Sequence, residues 1–265
     1  MSATPAPRIP AWPPKSAPRL FVDPALAAGE RRVIEGNPAH YLARVMRVGE
    51  GDAVILCDDE TGEWAARVAD VDKRSVTLEV AERLRPREDV PDLWLCPALL
   101  KKDRFDLVLE KATELGAAHI RPVLMRRCVA DKLNGTRART IVTEAAEQCA
   151  RTALPELAEP VTLDALLAEW PESRALFFAD EDGGEPAADA FCYHDGPAAI
   201  LIGPEGGFDE AERAAIRAHP AARPISLGPR ILRGETAAIA ALSVWMAEAG
   251  DWLPETTPGD WPESE

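Results

Sequence analysis

Three segments of the chain carry residue types at spacings that could do chemistry. The first, Gly203-Pro204-Glu205-Gly206-Gly207, follows the apolar run Ala198 to Ile202 and precedes Asp209 and Glu212, a D-x-x-E capping box for a helix through Ala218. Open α/β sheets bind ligands at such places, outside the carboxyl ends of their strands. Three glycines in five residues would let backbone amides approach a ligand closely, although a plain turn reads the same way. The segment is neither a P-loop, which needs Gly-Lys-Ser/Thr, nor a G-x-G-x-x-G fingerprint. The second segment, Leu227 to Ala237, places Arg230, Arg233 and Glu235 in a glycine-containing turn between a short strand and the helix Ala237 to Met246. That helix is apolar almost all round and should be buried, so the charges beside it need partners, either a ligand or a structural ion network. The third is Glu144, Glu147, Gln148 and Arg151, a polar stripe at i, i+3, i+4 and i+7 that alone reads as a solvated helix face.

The elements that would position these segments fall into two groups. Ala53 to Cys57, Glu63 to Val68 and Ser75 to Val80 are short alternating runs separated by turns, the spacing of a small antiparallel barrel. His40 to Val48 would add a helical turn with Arg44 and Arg47 on one side. Beyond the proline-bracketed linker Arg85 to Pro91 the rhythm changes. A strand at Leu93 to Leu100, a helix opened by Asp103 and closed by Gly116, and a strand at Ile120 to Met125 form a β-α-β unit and imply a parallel sheet. A helix near Ala138 to Ala153, strands at Ala175 to Ala179, Ala198 to Ile202 and Pro224 to Leu227, and a helix from about Glu235 to Ala249 continue the alternation. Domains are expected at 19–86 and 92–250, with flexible tails at 1–18 and 251–265, both rich in proline.

With 46% hydrophobic residues the 265-residue chain can bury a real core. Neither a secretory peptide nor a membrane span is evident, so a cytoplasmic protein is expected. Five scattered cysteines without a Cys-x-x-Cys pair argue against a disulfide framework or a metal site. A net charge of -15 looks unsuited to nucleic acid, which is bound largely by phosphate neutralisation. The charge is unevenly spread: Lys101 to Arg151 is net +4, whereas Thr152 to Glu265 is net -16, so a basic surface further forward remains open.

Taken together, Arg19-Leu20-Phe21-Val22, His40 to Arg47, Lys101 to Phe105 running into Lys111 to Gly116, Glu147 to Arg151, Gly203 to Gly207 and Leu227 to Ala237 resemble the bacterial 16S rRNA uridine-N3 methyltransferases, the RsmE family of the SPOUT superfamily. The resemblance spans about Arg19 to Gly250, and its last two segments are the most specific. It implies an α/β fold in which a PUA-like N-terminal β-barrel precedes a trefoil-knotted SPOUT domain, a homodimer, S-adenosyl-L-methionine as cofactor, and 16S rRNA, within the assembled small subunit, as partner. The cofactor would lie among three loops, touching Phe178, Ala179, Ile202, Gly203, Pro204, Glu205, Gly206, Leu227, Gly228, Ile231, Leu232 and Thr236. The stretch Asp180 to Gly184 stands beside the first of these as an insertion. Arg233, Arg151 and Glu205 are the catalytic candidates, and Arg19, Arg44, Arg47, Lys101, Lys111 and Arg126 the RNA-holding ones. A SPOUT methyltransferase acting on another RNA and a non-catalytic ribosome-assembly factor are the alternatives.

Overall fold

The computed structural model describes residues 12–192 and 194–252, and the chain divides into two compact units. Most of both expected tails lies outside the described residues. Of the leader, Trp12 to Pro18 are described, and the Arg67 guanidinium stacks 4.7 Å above the Trp12 ring, so the barrel's contacts begin earlier than residue 19.

The first unit runs through Asp89 and includes Glu147–Ala153. It contains β1 (Arg19–Phe21), β2 (Arg31–Glu35), a short α1 (Gly36–His40), a π-helical turn (Tyr41–Met46), β3 (Ala53–Asp58), β4 (Gly62–Val71) and β5 (Ser75–Arg85). The sheet order is β1-β3-β4-β5-β2. It is mixed rather than wholly antiparallel, because β1 pairs parallel with β3. Three register irregularities between β4 and β5 bend the sheet around a core of Leu42, Leu56, Val76, Leu78 and Val80.

The second unit comprises Val90–Ala146 and the chain from Leu154 onward. In order it contains β6 (Leu93–Pro97), α2 (Lys102–Glu114), β7 (His119–Ile120), β8 (Val123–Leu124), α3 (Gly135–Cys149), β9 (Glu156–Leu157), β10 (Val161–Thr162), α4 (Leu163–Ala168), β11 (Ala175–Ala179), β12 (Glu185–Pro186), α5 (Ala187–Phe191), β13 (Ala198–Ile202), α6 (Glu210–Ala218), β14 (Ala222–Ser226) and α7 (Gly234–Glu248). The last residues of α3 thus belong with the first unit. The main sheet, β12-β14-β11-β13-β6-β7-β9, is parallel throughout.

Its central strands are apolar on both sides because both faces are covered. Phe177, Ile200 and Ile202 point into one core with α2, α5 and α7; Leu176, Phe178, Ala199 and Leu201 point into another with α4 and α6. On α7, Ala237, Ala238, Ala241, Leu242, Trp245 and Met246 are buried, while Ile239, Ala240, Ser243 and Val244 are only partly covered. Two expected elements differ. Pro122 divides the run Ile120 to Met125 into β7 and β8, which join different sheets. The helix expected to reach Ala153 stops at Cys149, and Ala150 turns to φ 64, which takes Arg151 off the polar stripe.

Candidate cofactor and active site

β14, β11 and β13 are adjacent and parallel, so their carboxyl ends open at one edge of the sheet. The loops leaving them enclose a cavity of about 350 Å³. Ala179 to Gly183 come from the first loop, Ile202, Gly203, Pro204, Gly207 and Phe208 from the second, and Ser226 to Leu232 with Gly234 and Ala237 from the third. A volume in the range of small-molecule sites, with apolar Ile202, Ile225, Leu227, Leu232 and Phe208 beside exposed backbone, suits a nucleoside-sized ligand.

The glycines work differently from the sequence expectation. A Cβ on Gly203 would meet the Phe208 ring at 3.2 Å, one on Gly206 the Arg127 side chain at 3.4 Å, and one on Gly207 the Glu181 carboxylate at 2.4 Å. These absent side chains make room for the protein's own groups. Gly228, at φ 102, and Gly183, at φ 107, have nothing within 4 Å of a built Cβ and leave open space beside the cavity.

The Asp180–Gly183 loop, an insertion in the sequence reading, is a cavity wall held by α6. Asp180 has a side chain shut off from solvent; it forms an ion pair with Arg213, whose Nε lies 3.3 Å away, and accepts from Arg217 Nη2 at 2.6 Å. Arg213 Nη1 also reaches Asp182 Oδ2 at 2.6 Å, and its Nη2 bonds Glu181. The second loop is anchored by the expected capping box, Asp209 with Glu212. Arg127 Nη1 donates to the Gly206 carbonyl at 2.8 Å.

Of the residues assigned to the cofactor, Ala179, Ile202, Gly203, Pro204, Leu227, Gly228, Ile231 and Leu232 line the cavity. Phe178, Glu205, Gly206 and Thr236 do not. Strand alternation turns Phe178 into the core, where its ring meets the edge of Phe208 at 6.1 Å. Thr236 lies exposed on the first turn of α7, and Glu205 turns toward Arg104. Arg230 and Arg233 are exposed and have no ion pair among the described residues. Arg151, the other catalytic candidate, is buried in the first unit and is not among the lining residues. Sequence reasoning missed Asp180 to Gly183 as a cavity wall, and it named Glu235 as a charge in need of a partner without finding that partner, Arg104. An acidic turn directly after a strand, with Arg213 and Arg217 spaced i, i+4, was the available signal for the first of these.

Comparison with known proteins bears on this geometry. The family of RNA methyltransferase domains matches residues 87–246, and the RNA methyltransferase PUA domain matches 34–81. Ribosomal RNA small subunit methyltransferase E of Synechocystis is 33% identical over 85% of this chain and 76% of its own length. The chain belongs to that RNA methyltransferase family. Among solved structures, a Legionella pneumophila methyltransferase in complex with bound cofactor SAM superposes with a TM-score of 0.80 at 31% identity, covering 89% of this chain and 99% of the other. The Neisseria gonorrhoeae ribosomal RNA small subunit methyltransferase E bound to S-adenosyl methionine also gives 0.80, at 26% identity, covering 89% of this chain and all of the other. The fold is accordingly that of a SPOUT methyltransferase with an N-terminal PUA domain.

In this RNA methyltransferase the basic candidates for holding RNA differ in availability. Arg44 and Arg47 stand exposed on the turn after α1, near the half-exposed Tyr41 and the exposed Val45. Arg47 sits at φ 57 where the π-helical turn ends. Arg19 is committed instead: Nη2 lies 2.7 Å from Glu63 Oε1. Lys101 is exposed at the start of α2, Lys111 is paired with Glu110 and Glu114, and Arg126 meets Asp209 at 3.2 Å. No helix among the described residues is long and apolar enough to cross a membrane, and no group of ligating side chains there could hold a metal ion.

Proposed function

We propose that the chain transfers a methyl group from S-adenosyl-L-methionine to the N3 of a uridine in 16S rRNA, in the cytoplasm and on the assembled small subunit. The observation that carries the reading is the cavity at the ends of β14, β11 and β13 in a chain that aligns with cofactor-bound relatives over nearly their whole length. Ile202, Ile225, Leu227 and Leu232 would take the apolar face of the adenosine, and the backbone around Gly228 its polar edge. The bound cofactor supplies an electrophilic methyl group.

What remains for the protein is to orient the base and manage the imide proton, because N3 is a poor nucleophile until that proton leaves. Arg233, exposed at the N-cap of α7, and Arg230 beside it are cations without an ion pair among the described residues, and would stabilise the developing uracil anion and the flanking phosphates. Arg44 and Arg47 would hold RNA further along. The partly covered face of α7, from Ile239 to Val244, supports a homodimer.

Mass spectrometry of 16S rRNA nucleosides from cells lacking the protein tests the reading. Loss of 3-methyluridine, restored by the wild-type chain, is expected. An unchanged 3-methyluridine level overturns it, and disappearance of a different methylated nucleoside moves the target elsewhere. Sedimentation at micromolar concentration should show a dimer, and an active monomer would remove the shared-interface part of the reading.

A further inference from the structure

Beside the cavity, one cluster of buried charge is chemically incomplete. Arg104 on α2 places its guanidinium between two carboxylates: Nη1 is 3.3 Å from Glu205 Oε1, and Nε is 3.7 Å from Glu235 Oε1. Glu205 sits in the loop after β13 and Glu235 in the first turn of α7. Each directly follows a residue that lines the cavity, Pro204 and Gly234 respectively. The two loops are packed backbone to backbone, since a Cβ on Gly234 would come 3.4 Å from the Gly203 carbonyl oxygen.

The second oxygen of each carboxylate, Glu205 Oε2 and Glu235 Oε2, is buried and has no hydrogen-bond partner among the described residues. A helix N-terminus favours a carboxylate, which accounts for the charge of Glu235. It does not account for Glu205 or for the two idle acceptors. One guanidinium cannot neutralise two carboxylates, and buried acceptors without donors are costly unless a ligand supplies the donor. Each side chain keeps a small exposure to solvent, 18% for Glu205 and 12% for Glu235, so the cluster lies near the protein surface rather than deep in the core.

We propose that the Glu205–Glu235 pair accepts the imide proton of the target base, and that Arg104 is the positioning residue that holds the two carboxylates together beside the cavity. The inference rests on the N3 methyl transfer proposed above. The N3–H bond breaks as its proton passes to a carboxylate oxygen of the pair. The electron pair stays on N3 for the new N–C bond, and the carboxylic acid then returns the proton to water. The guanidinium between the two carboxylates offsets their mutual repulsion and holds one oxygen of each, leaving the other without a donor. The other groups facing the cluster do not compete. The Cys128 thiol, after β8, is held up by burial, with the charges of Glu212 and Glu205 adding to it, and stays neutral. Arg127 is spent on the Gly206 carbonyl.

The test uses the full-length protein, with methyl transfer to small-subunit rRNA followed as a function of pH. Glu205→Gln should lower kcat by about a hundredfold, the scale of a lost general base, with cofactor affinity in calorimetry unchanged. Arg104→Met should move the acid limb of the kcat profile upward by roughly one pH unit, and Arg104→Lys should restore it. Carboxyl carbon NMR of the protein without cofactor should show the same upward move in the pair's titration, which is independent of turnover. The proposal is overturned if both the limb and the NMR titration of Arg104→Met coincide with wild type, or if its kcat falls only in step with its thermal midpoint. Failure of the wild-type protein to form 3-methyluridine, with the NMR shift intact, would instead overturn the assigned reaction.

Discussion

Two buried ion clusters in this molecule are opposite in stoichiometry. In the first unit two guanidiniums serve one carboxylate: Glu63, its side chain 6% exposed, accepts from Arg19 Nη2 at 2.7 Å and from Arg85 Nε. Burial works against ionising Glu63, but the bonds from Arg85 and Arg19 outweigh it and hold the carboxyl below the usual range. In the second unit one guanidinium, Arg104, serves two carboxylates and leaves an oxygen idle on each. A carboxylate with surplus cations is a fixed charge that ties β1 to the end of β5. A guanidinium with surplus carboxylates leaves acceptors without donors. The first arrangement is saturated, and the second is open to a further donor.

The largest expected difference is in stability. Glu63→Gln should destabilise the protein by about 2 kcal/mol, less than for a fully enclosed pair because Arg19 and Arg85 can still reach water. Glu235→Gln, which relieves an excess of negative charge, should change stability by less than about 0.5 kcal/mol. Urea unfolding followed in both variants checks this, and equal losses would erase the contrast. The pH dependence carries the same sign. Because the folded-state value of Glu63 lies below its unfolded one, its contribution is fully present above the ordinary glutamate value of 4.5 and is lost as pH falls through the folded value. Wild-type stability should therefore decline more steeply into acid than that of Glu63→Gln.

A middle-sized effect is expected at the cavity wall. Asp180→Asn removes the one carboxylate shared by Arg213 and Arg217, yet Glu181 and Asp182 still hold Arg213, and Arg217 is half exposed. The cost to stability should be about 1 kcal/mol. The loop it anchors lines the cavity, so calorimetry should show cofactor affinity several-fold weaker. Unchanged affinity would mean that the wall carries no ligand contact.

The smallest effects separate free from committed arginines. Arg44→Ala and Arg47→Ala should each reduce the salt dependence of RNA binding by roughly one released counterion. Arg19→Ala, already engaged by Glu63, should leave that slope near wild type while lowering the melting temperature. A full slope change for Arg19 would mean that RNA displaces Glu63.

The parts of the fold most legible in the sequence were those governed by local rules. β11 and β13 fall where their apolar runs do, Ala175–Ala179 and Ala198–Ile202, because both faces of a parallel strand are covered and nothing polar interrupts them. The box of Asp209 and Glu212 was likewise a local signal. The parallel β1–β3 pairing, the division at Pro122 and the reversal at Ala150 depend on neighbours distant in the chain or on a single backbone angle. At the site, glycine content pointed to the correct loop but for a partly mistaken reason, since Phe208, Arg127 and Glu181 fill the space. Arg104 lies 101 residues from Glu205, and no periodicity links them.

The composition of the first unit also bears on how the chain is made. Beside the barrel strands it contains Glu147–Ala153: Glu147 Oε1 accepts from the Phe21 amide at 2.8 Å, and Glu88 and Thr152 bond each other in both directions. During synthesis the ribosome releases the strands long before this segment. At about 5–20 residues per second the roughly 60 intervening residues amount to several seconds of waiting. The N-terminal unit, although first out, is therefore among the later pieces to be finished, and a fragment cut after Asp89 would stay permanently at that unfinished stage.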